Sequence, residues 1–210
     1  MHAALINTHA ALGFRVHSGW AVLIVLAGPL ESPAIVARRR IEIADPNVAG
    51  SKQPYHAAEG MSPQEAERHV TACAARSSQL ATAAVQSALA DVKHHGYQVT
   101  AAGVLTGSGQ AVPELEKILV SHPLLHTAEG ELFRSAIIAA CKRCGMSVLV
   151  VKEKELLLRH SRQLAIPDTA IQHHLMRMGK MVGPPWRQDE KFATRVAWMA
   201  LAAEIVDHKQ

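Results

Sequence analysis

Aromatic side chains and cysteines are both scarce in this sequence. Phe, Trp and Tyr together make up 4% of the 210 residues, so the core must be built mainly from Ala, Val, Leu and Ile. Few rings are available to stack on nucleic-acid bases. The three cysteines, Cys73, Cys141 and Cys144, provide no disulfide framework, and the lone CxxC pair has no second pair to complete a zinc site. We therefore interpret them as structural residues and expect a reducing, cytoplasmic setting.

Charged residues and long apolar runs are limited as well. Only 19% of the residues are charged while 49% are hydrophobic, which excludes a disordered chain. The net charge of +4 is compatible with a polyanionic partner without requiring one. The apolar run at residues 21–27 is far too short to cross a bilayer, so we expect no membrane partner. A chain of this length is most simply one domain, residues 1–210, with residues 1–10 as a flexible N-terminal segment.

Three apolar segments near the start of the chain predict an antiparallel β meander, because turn signals such as Gly28-Pro29 separate them. The segments cover residues 12–16, 20–27 and 35–43. The third segment contains consecutive arginines, Arg38 to Arg40, whose side chains should alternate between the two faces of a strand. They suit an exposed edge strand, and a nucleic-acid patch is the alternative interpretation.

Helices and two further strands account for the rest of the chain. Ser62 and Glu65 form a capping box around Pro63, which predicts a long helix that ends near Gly96. The region before it, residues 45–60, is expected to be a polar connection. The later predicted elements are strands at 97–106 and 146–151 and helices at 113–122, 123–142 and from 153 onward, the last broken at Pro167 and at 183–185.

The order of these elements is β-β-β-α-β-α-β-α-α-α, where the helices at 113–122 and 123–142 count as one helical connection. It resembles the RNase H-like fold, which RuvC-type resolvases and actin-like ATPases share, and the resemblance covers most of the chain. It implies a three-layer α/β domain with a five-stranded mixed sheet in the order 3-2-1-4-5, flanked by helices. It also implies that any chemistry lies at the carboxyl ends of strands one and four, as is general for open α/β sheets.

The acids that this resemblance leads one to expect are missing from both strand ends. In RNase H-like nucleases an aspartate of strand one helps to hold the catalytic metals, and in actin-like ATPases an aspartate starts each phosphate loop. Here strand one ends in Arg15 to Gly19 and strand four ends in Thr106 to Gly109, and neither stretch contains an acid. A two-metal mechanism would lose ligands it needs. RuvC-type proteins also carry acids on the last helix, where Asp189 matches by position, although helix-start electrostatics also explains it.

The same two strand ends suggest an anion site, which is our first functional hypothesis. Arg15 would supply charge, and hydroxyl, imidazole and glycine amide groups would supply hydrogen bonds to a phosphate-bearing small molecule or nucleic acid. The hydrogen-bonding residues would be His17, Ser18, Thr106 and Ser108. Ordinary tight turns are the alternative interpretation of these residues.

The second hypothesis is a metal-dependent hydrolase or nuclease that uses His122, His126 and Glu129. These residues fall at i, i+4 and i+7, so a helix would place them on one face. Imidazole and carboxylate groups suit a divalent metal, and His126 or Glu129 could move a proton without one. His17, His56 or Glu131 could complete a metal site. The competing interpretation is a polar cluster at a helix start, since Pro123 could begin or kink the helix.

The third hypothesis is a non-catalytic interaction protein whose alanine-rich helices pack against a second copy in a homodimer. The sequence leaves open whether the chain is an enzyme at all.

Glu131 and Arg134 lie three residues apart and are expected to form a local ion pair.

Overall fold

A five-stranded mixed sheet forms the centre of the computed structural model, which describes residues 9–107 and 111–207. The strands are β1 His9–His17, β2 Trp20–Ala27, β3 Ala34–Glu42, β4 Gln98–Thr106 and β5 Ser147–Lys152. Their order is β3-β2-β1-β4-β5, with antiparallel pairing among the first three and parallel pairing of β1 with β4 and of β4 with β5. This confirms the strand order that the resemblance implied. Residues 1–8, part of the segment expected to be flexible, lie outside the described residues.

Helices cover both faces of this sheet. They are α1 Pro54–Ala57, α2 Pro63–His94, α3 Leu115–Leu119, α4 His122–Arg143, α5 Leu156–Leu164, α6 Asp168–Val182 and α7 Gln188–Asp207, with a 3₁₀ turn at Glu153–Glu155. The predicted capping box is present, because the backbone N–H of Ser62 donates to Glu65 at 3.1 Å. None of the described helices combines the length and the apolar character that a membrane crossing needs.

Two details of the helices differ from the sequence prediction. The connection at residues 45–60 contains the short helix α1, and the helix expected at 113–122 is shorter, so that His122 belongs to α4. Ser121 has an extended backbone, which separates α3 from α4. Pro123 occupies the first turn of α4, where its missing N–H is not needed, and it therefore does not interrupt this helix.

Because side chains alternate along β1, its residues show which helices pack against each face of the sheet. Leu12 and Phe14 pack in the core cluster that contains residues of α2 and α4. Gly13 faces α7, and a Cβ atom placed on it would lie 2.0 Å from the carbonyl oxygen of Ala193. Gly103 of β4 similarly approaches Val196. These glycines let α7 lie directly on the sheet, so even-numbered residues of β1 face α2 and α4 while odd-numbered residues face α7.

The strands β1, β3, β4 and β5 all end at the same edge of the sheet, which we call the carboxyl edge. Because α2 and α4 pack antiparallel to the strands that follow them, both helices begin at this edge. The start of α7 is also there, since its later residue Ala200 packs against Ala11, near the beginning of β1. Polar residues at the starts of these three helices are thereby brought to one end of the molecule.

Candidate functional site

Three histidines converge at the carboxyl edge on the α4 face of the sheet. His122 and His126 lie on the first turns of α4, and His56 comes from α1. One ring nitrogen of each lies within 4.8 Å of the other two, and the Nε2 atoms of His122 and His126 are 3.1 Å apart. The ring centroids of His56 and His126 are 4.7 Å apart. The i, i+4 spacing in the sequence therefore does bring two of the predicted residues together, and the fold adds the third.

Packing of α1 explains why His56 reaches the other two histidines. Pro54 is buried, and Tyr55 packs against apolar side chains of α2, α3 and α4. Burial, and secondarily the charge of Glu129, raise the pKa of the Tyr55 hydroxyl above its usual value. Since α1 is held on both sides of His56, the imidazole is half-buried and directed toward α4, while His122 and His126 are exposed.

Glu129 is buried beneath the histidines and hydrogen-bonded to one of them. Its side chain is 1% exposed, and its Oε1 accepts hydrogen bonds from His56 Nδ1 at 2.8 Å and from the His56 backbone N–H at 3.2 Å. The other oxygen, Oε2, is buried and has no hydrogen-bond partner among the described residues. The sequence grouped Glu129 with the metal ligands, whereas the structure places it behind His56, whose Nε2 remains available.

The three imidazoles form a donor set suited to zinc. A tetrahedral zinc ion with nitrogen ligands at its usual bond length holds those nitrogens roughly 3.3 Å apart. The 3.1 Å separation of the His122 and His126 nitrogens is close to that value. The ligand nitrogen of His56 lies within 4.8 Å of both, and binding of the ion would bring it to the same spacing. Three protein ligands leave a fourth position open, which is the arrangement of catalytic zinc sites.

A second polar cluster lies at the carboxyl edge on the α7 face. Arg15 Nη2 is 2.9 Å from Glu153 Oε2, and its Nε is 3.7 Å from Asp189 Oδ1. His17 Nε2 is 3.0 Å from Asp189 Oδ2. The strand alternation explains this grouping, because Arg15 and His17 are odd-numbered residues of β1 and Asp189 lies in the first turn of α7. Arg15 and His17 of the predicted anion site are thus already paired with carboxylates.

Stacking fixes the orientation of His17 in this cluster. Its ring lies parallel to that of Trp20, at an interplanar angle of 12° and a centroid distance of 4.3 Å. The Arg40 guanidinium lies 3.7 Å from the centroid of the Trp20 ring, and it also donates to Glu42 at 2.8 Å. This aromatic surface is therefore covered by groups of the chain itself.

Among the remaining residues of the predicted anion site, Thr106 is separated from Arg15 by the sheet. Ser18 is exposed in the turn between β1 and β2. Thr106 lies on the opposite face of the sheet from Arg15, the face toward α4, and its hydroxyl donates to the Val151 carbonyl at 3.5 Å. Ser108 lies outside the described residues. The structure thus places Arg15 and Thr106 at one edge of the sheet but on its opposite faces.

The arginines of β3 are engaged in contacts within the chain. Arg38 donates to the carbonyl oxygens of Gly183 at 2.8 Å and Pro184 at 3.0 Å. Arg39 points to the other face and pairs with Asp91 of α2. The predicted alternation is thus observed. These contacts favour the edge-strand interpretation over a nucleic-acid patch.

Sequence reasoning missed Glu153 and the arrangement of His56 and Glu129. Glu153 follows β5, and nothing in its sequence context links it to Arg15, which is far away along the chain. His56 itself was among the three residues that could complete the metal site, and Tyr55 and His56 lie in a polar connection where functional residues are common. The local pair of Glu131 and Arg134 was correctly predicted, with a distance of 3.3 Å.

Comparison with known proteins identifies the fold. The sequence matches no protein-family model and no curated protein. Among solved structures it is similar to T. thermophilus RuvC in complex with a Holliday junction substrate, with a TM-score of 0.50 and 13% identity over 94% of this chain and 96% of that one. A second Thermus thermophilus RuvC structure gives a TM-score of 0.52 and 10% identity over 93% and 96%. At these identities the likeness shows an RNase H-like fold.

Proposed function

We propose that this RNase H-like protein is a divalent-metal-dependent hydrolase whose metal is held by His56, His122 and His126. The observation that carries the proposal is the convergence of three imidazoles, one of which is hydrogen-bonded to the buried carboxylate of Glu129. Zinc is the expected metal, because imidazole nitrogens suit it whereas magnesium and calcium prefer oxygen ligands. When bound, such a metal polarises an ester oxygen and lowers the pKa of a bound water.

Charge balance supports a cation at this position. A carboxylate that is 1% exposed is costly unless hydrogen bonds and an opposite charge compensate it. His56 supplies two N–H donors to Glu129, and a divalent cation beyond the ring of His56 would supply the charge. Glu129 would in turn fix the tautomer and orientation of His56, as carboxylates behind metal-binding histidines commonly do.

The competing interpretation, a polar cluster that caps α4, has less support. Ser121 occupies the capping position, but its side chain makes no capping hydrogen bond, and the first turn of α4 contains no acidic residue. Glu129 lies two turns into the helix, where it is directed at His56 and not at the free N–H groups of the helix start. Capping therefore does not explain why these residues are present.

Nucleic acid is the first substrate class to test. The support is an analogy of fold, because one of the similar RuvC structures is a complex with a Holliday junction substrate. The chain would use a different metal site from that of carboxylate-based nucleases of this fold, since Arg15 and His17 occupy the end of β1 and pair with Asp189. Hydrolysis would thus depend on the histidines of α1 and α4.

The anion-site hypothesis at Arg15, His17 and Ser18 ranks second. A phosphate at Arg15 would have to displace Glu153 or Asp189, which already contact its guanidinium.

A cytoplasmic location and a homodimer also remain proposals. Light scattering of the purified protein tests whether it is a homodimer.

Metal analysis tests the proposal directly. We expect the purified protein to bind one zinc ion per chain, and His126→Ala and His56→Ala each to lose it, because two imidazoles alone hold zinc weakly. His94→Ala, which removes an exposed histidine at the far end of α2, serves as the matched control and should keep the metal. Cleavage of a branched DNA substrate should require zinc and disappear in both site variants.

Two outcomes would contradict the proposal. A wild-type protein that binds neither zinc nor manganese nor cobalt has no metal site at these histidines. Equal metal binding by the wild type and the His126→Ala variant would place the metal elsewhere. Metal binding without cleavage of any nucleic acid would retain the site and reject nucleic acid as its substrate.

A further inference from the structure

A cleft opens at the carboxyl edge beside the last residues of β4 and β5, between α4 and α5. Its volume is about 510 Å³, and its polar lining residues are Thr106, Glu131, Lys152, Glu155 and Arg159. None of the three clustered histidines is among its described lining residues. Crevices at the carboxyl ends of strands are the usual ligand sites of open α/β sheets, and this volume is in the range of small-molecule sites.

The cleft is lined by two acids and two cations, and Arg134 beside it brings the total to a surplus of one positive charge. Glu131 is already engaged by Arg134, which donates to it at 3.3 Å. Glu155 is the remaining acid, and it lies 4.0 Å from both Lys152 Nζ and Arg159 Nη1. Two cations therefore share one carboxylate, which leaves a surplus of one positive charge. These pairs hold the cations only weakly, because their distances are at the outer limit for an ion pair and all three side chains are well exposed.

A hydrogen-bond donor is available at the floor of the cleft. The Thr106 hydroxyl donates to the Val151 carbonyl at 3.5 Å, which is long for an O–H···O bond. A ligand oxygen could replace this acceptor at little cost. Val150 and Lys152 lie on the same face of β5, since alternate residues of a strand share a face, and Val150 adds an apolar wall beside the lysine.

We propose that this cleft binds the phosphate group of a small molecule of nucleotide size. Lys152 and Arg159 pair with the phosphate, Thr106 donates a hydrogen bond to it, and the rest of the ligand fills the cleft along Val150 and Val112. Arginine and lysine beside a hydroxyl are well matched to phosphate oxygens. This site is distinct from the cluster at Arg15 and from the histidines, and it requires no metal.

Ligand titration of the metal-free protein tests this site independently of the hydrolase proposal. Inorganic phosphate and adenosine monophosphate are the probes, added after treatment with a chelator and followed by calorimetry or NMR shifts. We expect saturable binding that the Lys152→Ala/Arg159→Ala double variant weakens roughly tenfold or more, because each charged hydrogen bond contributes substantially. Thr106→Val should weaken binding by a smaller factor.

Lys142→Ala is the matched control, because it removes an exposed lysine at the far end of α4 and should leave both affinities unchanged. Absence of saturable binding to both probes in the wild type would overturn the proposal. So would equal weakening by Lys142→Ala, which would show a general charge effect. Binding of a DNA duplex alone, with neither small probe bound, would also overturn it.

Discussion

Glu129 is a buried carboxylate with two differently placed oxygens. Oε1 holds the ring and the backbone of His56, and Oε2 has no hydrogen-bond partner among the described residues. In the proposed site this residue acts through His56 and does not itself bind the metal. Its contribution should therefore depend on its charge and on the hydrogen bond from the imidazole.

We expect Glu129→Gln to weaken zinc binding roughly 10- to 100-fold while one zinc ion per chain is still bound at saturation. Glutamine can still accept from His56 Nδ1, but it removes the negative charge that would compensate a cation bound by the imidazole. Competition with a chromophoric chelator measures the affinity, and urea unfolding of the metal-free protein shows whether the fold is retained. Glu131→Gln, two residues away on α4, is the control. An unchanged zinc affinity in Glu129→Gln would reject the orienting role.

For individual side chains, the sequence predicted only those contacts that local spacing along a helix determines. The proximity of His122 and His126 and the ion pair of Glu131 with Arg134 follow from helical periodicity. The bond from His56 to Glu129 joins residues 73 positions apart in the chain, so it depends on how α1 packs against α4. No pattern within a single element contains that information.

The helix α7 lies unusually close to the sheet because two strands present glycine to it. A Cβ atom at Gly13 would be 2.0 Å from the Ala193 carbonyl oxygen and 2.7 Å from the Ala197 Cβ. At Gly103 the nearest atom would be the Val196 carbonyl oxygen at 2.3 Å. A methyl group at either position must push the helix away from the sheet.

We expect Gly13→Ala to lower the free energy of unfolding by about 1–3 kcal/mol, as overpacking of a close interface does. Gly107→Ala is the control, because a Cβ atom there would meet its nearest neighbour at an ordinary contact distance of 3.5 Å. Urea unfolding followed by circular dichroism measures both variants. A Gly13→Ala protein as stable as the wild type would show that α7 can move at no cost.

Long elements were predictable from the sequence and short ones were not. The strands β2 and β4 follow from apolar, β-branched runs bounded by turn residues, and α2 follows from its capping box. The four residues of α1 contain too little periodicity for a prediction, and its buried Pro54 owes its position to α2 and α4. The early end of α3 likewise reflects the extended backbone of Ser121.

A buried polar group links the three C-terminal helices to one another. Arg195 of α7 is 1% exposed and contacts Asp168 of α6 at 2.8 Å and His160 Nδ1 of α5 at 3.0 Å. Burial, and secondarily the Arg195 charge, lower the pKa of His160 to about 3, against the opposing effect of Asp168. The ring of His160 also meets the edge of Trp198. Sequence patterns do not reveal such a buried cation, because its partners belong to other helices.

This group predicts a loss of stability in mild acid. His160 is neutral in the folded protein, whereas the unfolded chain takes up a proton below about pH 6.5. Its contribution to stability is therefore complete above pH 6.5 and declines as the pH falls toward 3. We expect a loss of about 2 kcal/mol by pH 5 from this residue. Urea midpoints measured across this range should fall less steeply in His160→Gln than in the wild type.

The exposed His94→Gln variant is the control for this experiment, and its slope should match that of the wild type. Identical slopes for His160→Gln and the wild type would mean that His160 titrates alike in both states.

The architecture of the whole chain, in contrast to this buried group, was predictable from the sequence, because the order of ten elements is compatible with few sheet topologies.

The helix α4 contributes to both proposed sites. His122, His126 and Glu129 lie on one side of it, and Glu131, on another side, lines the cleft beside Thr106. Any ligand that shifts or rotates this helix therefore acts on both places at once. Thermodynamic linkage then requires reciprocity: the factor by which a phosphate ligand changes the affinity for metal equals the factor by which the metal changes the affinity for that ligand.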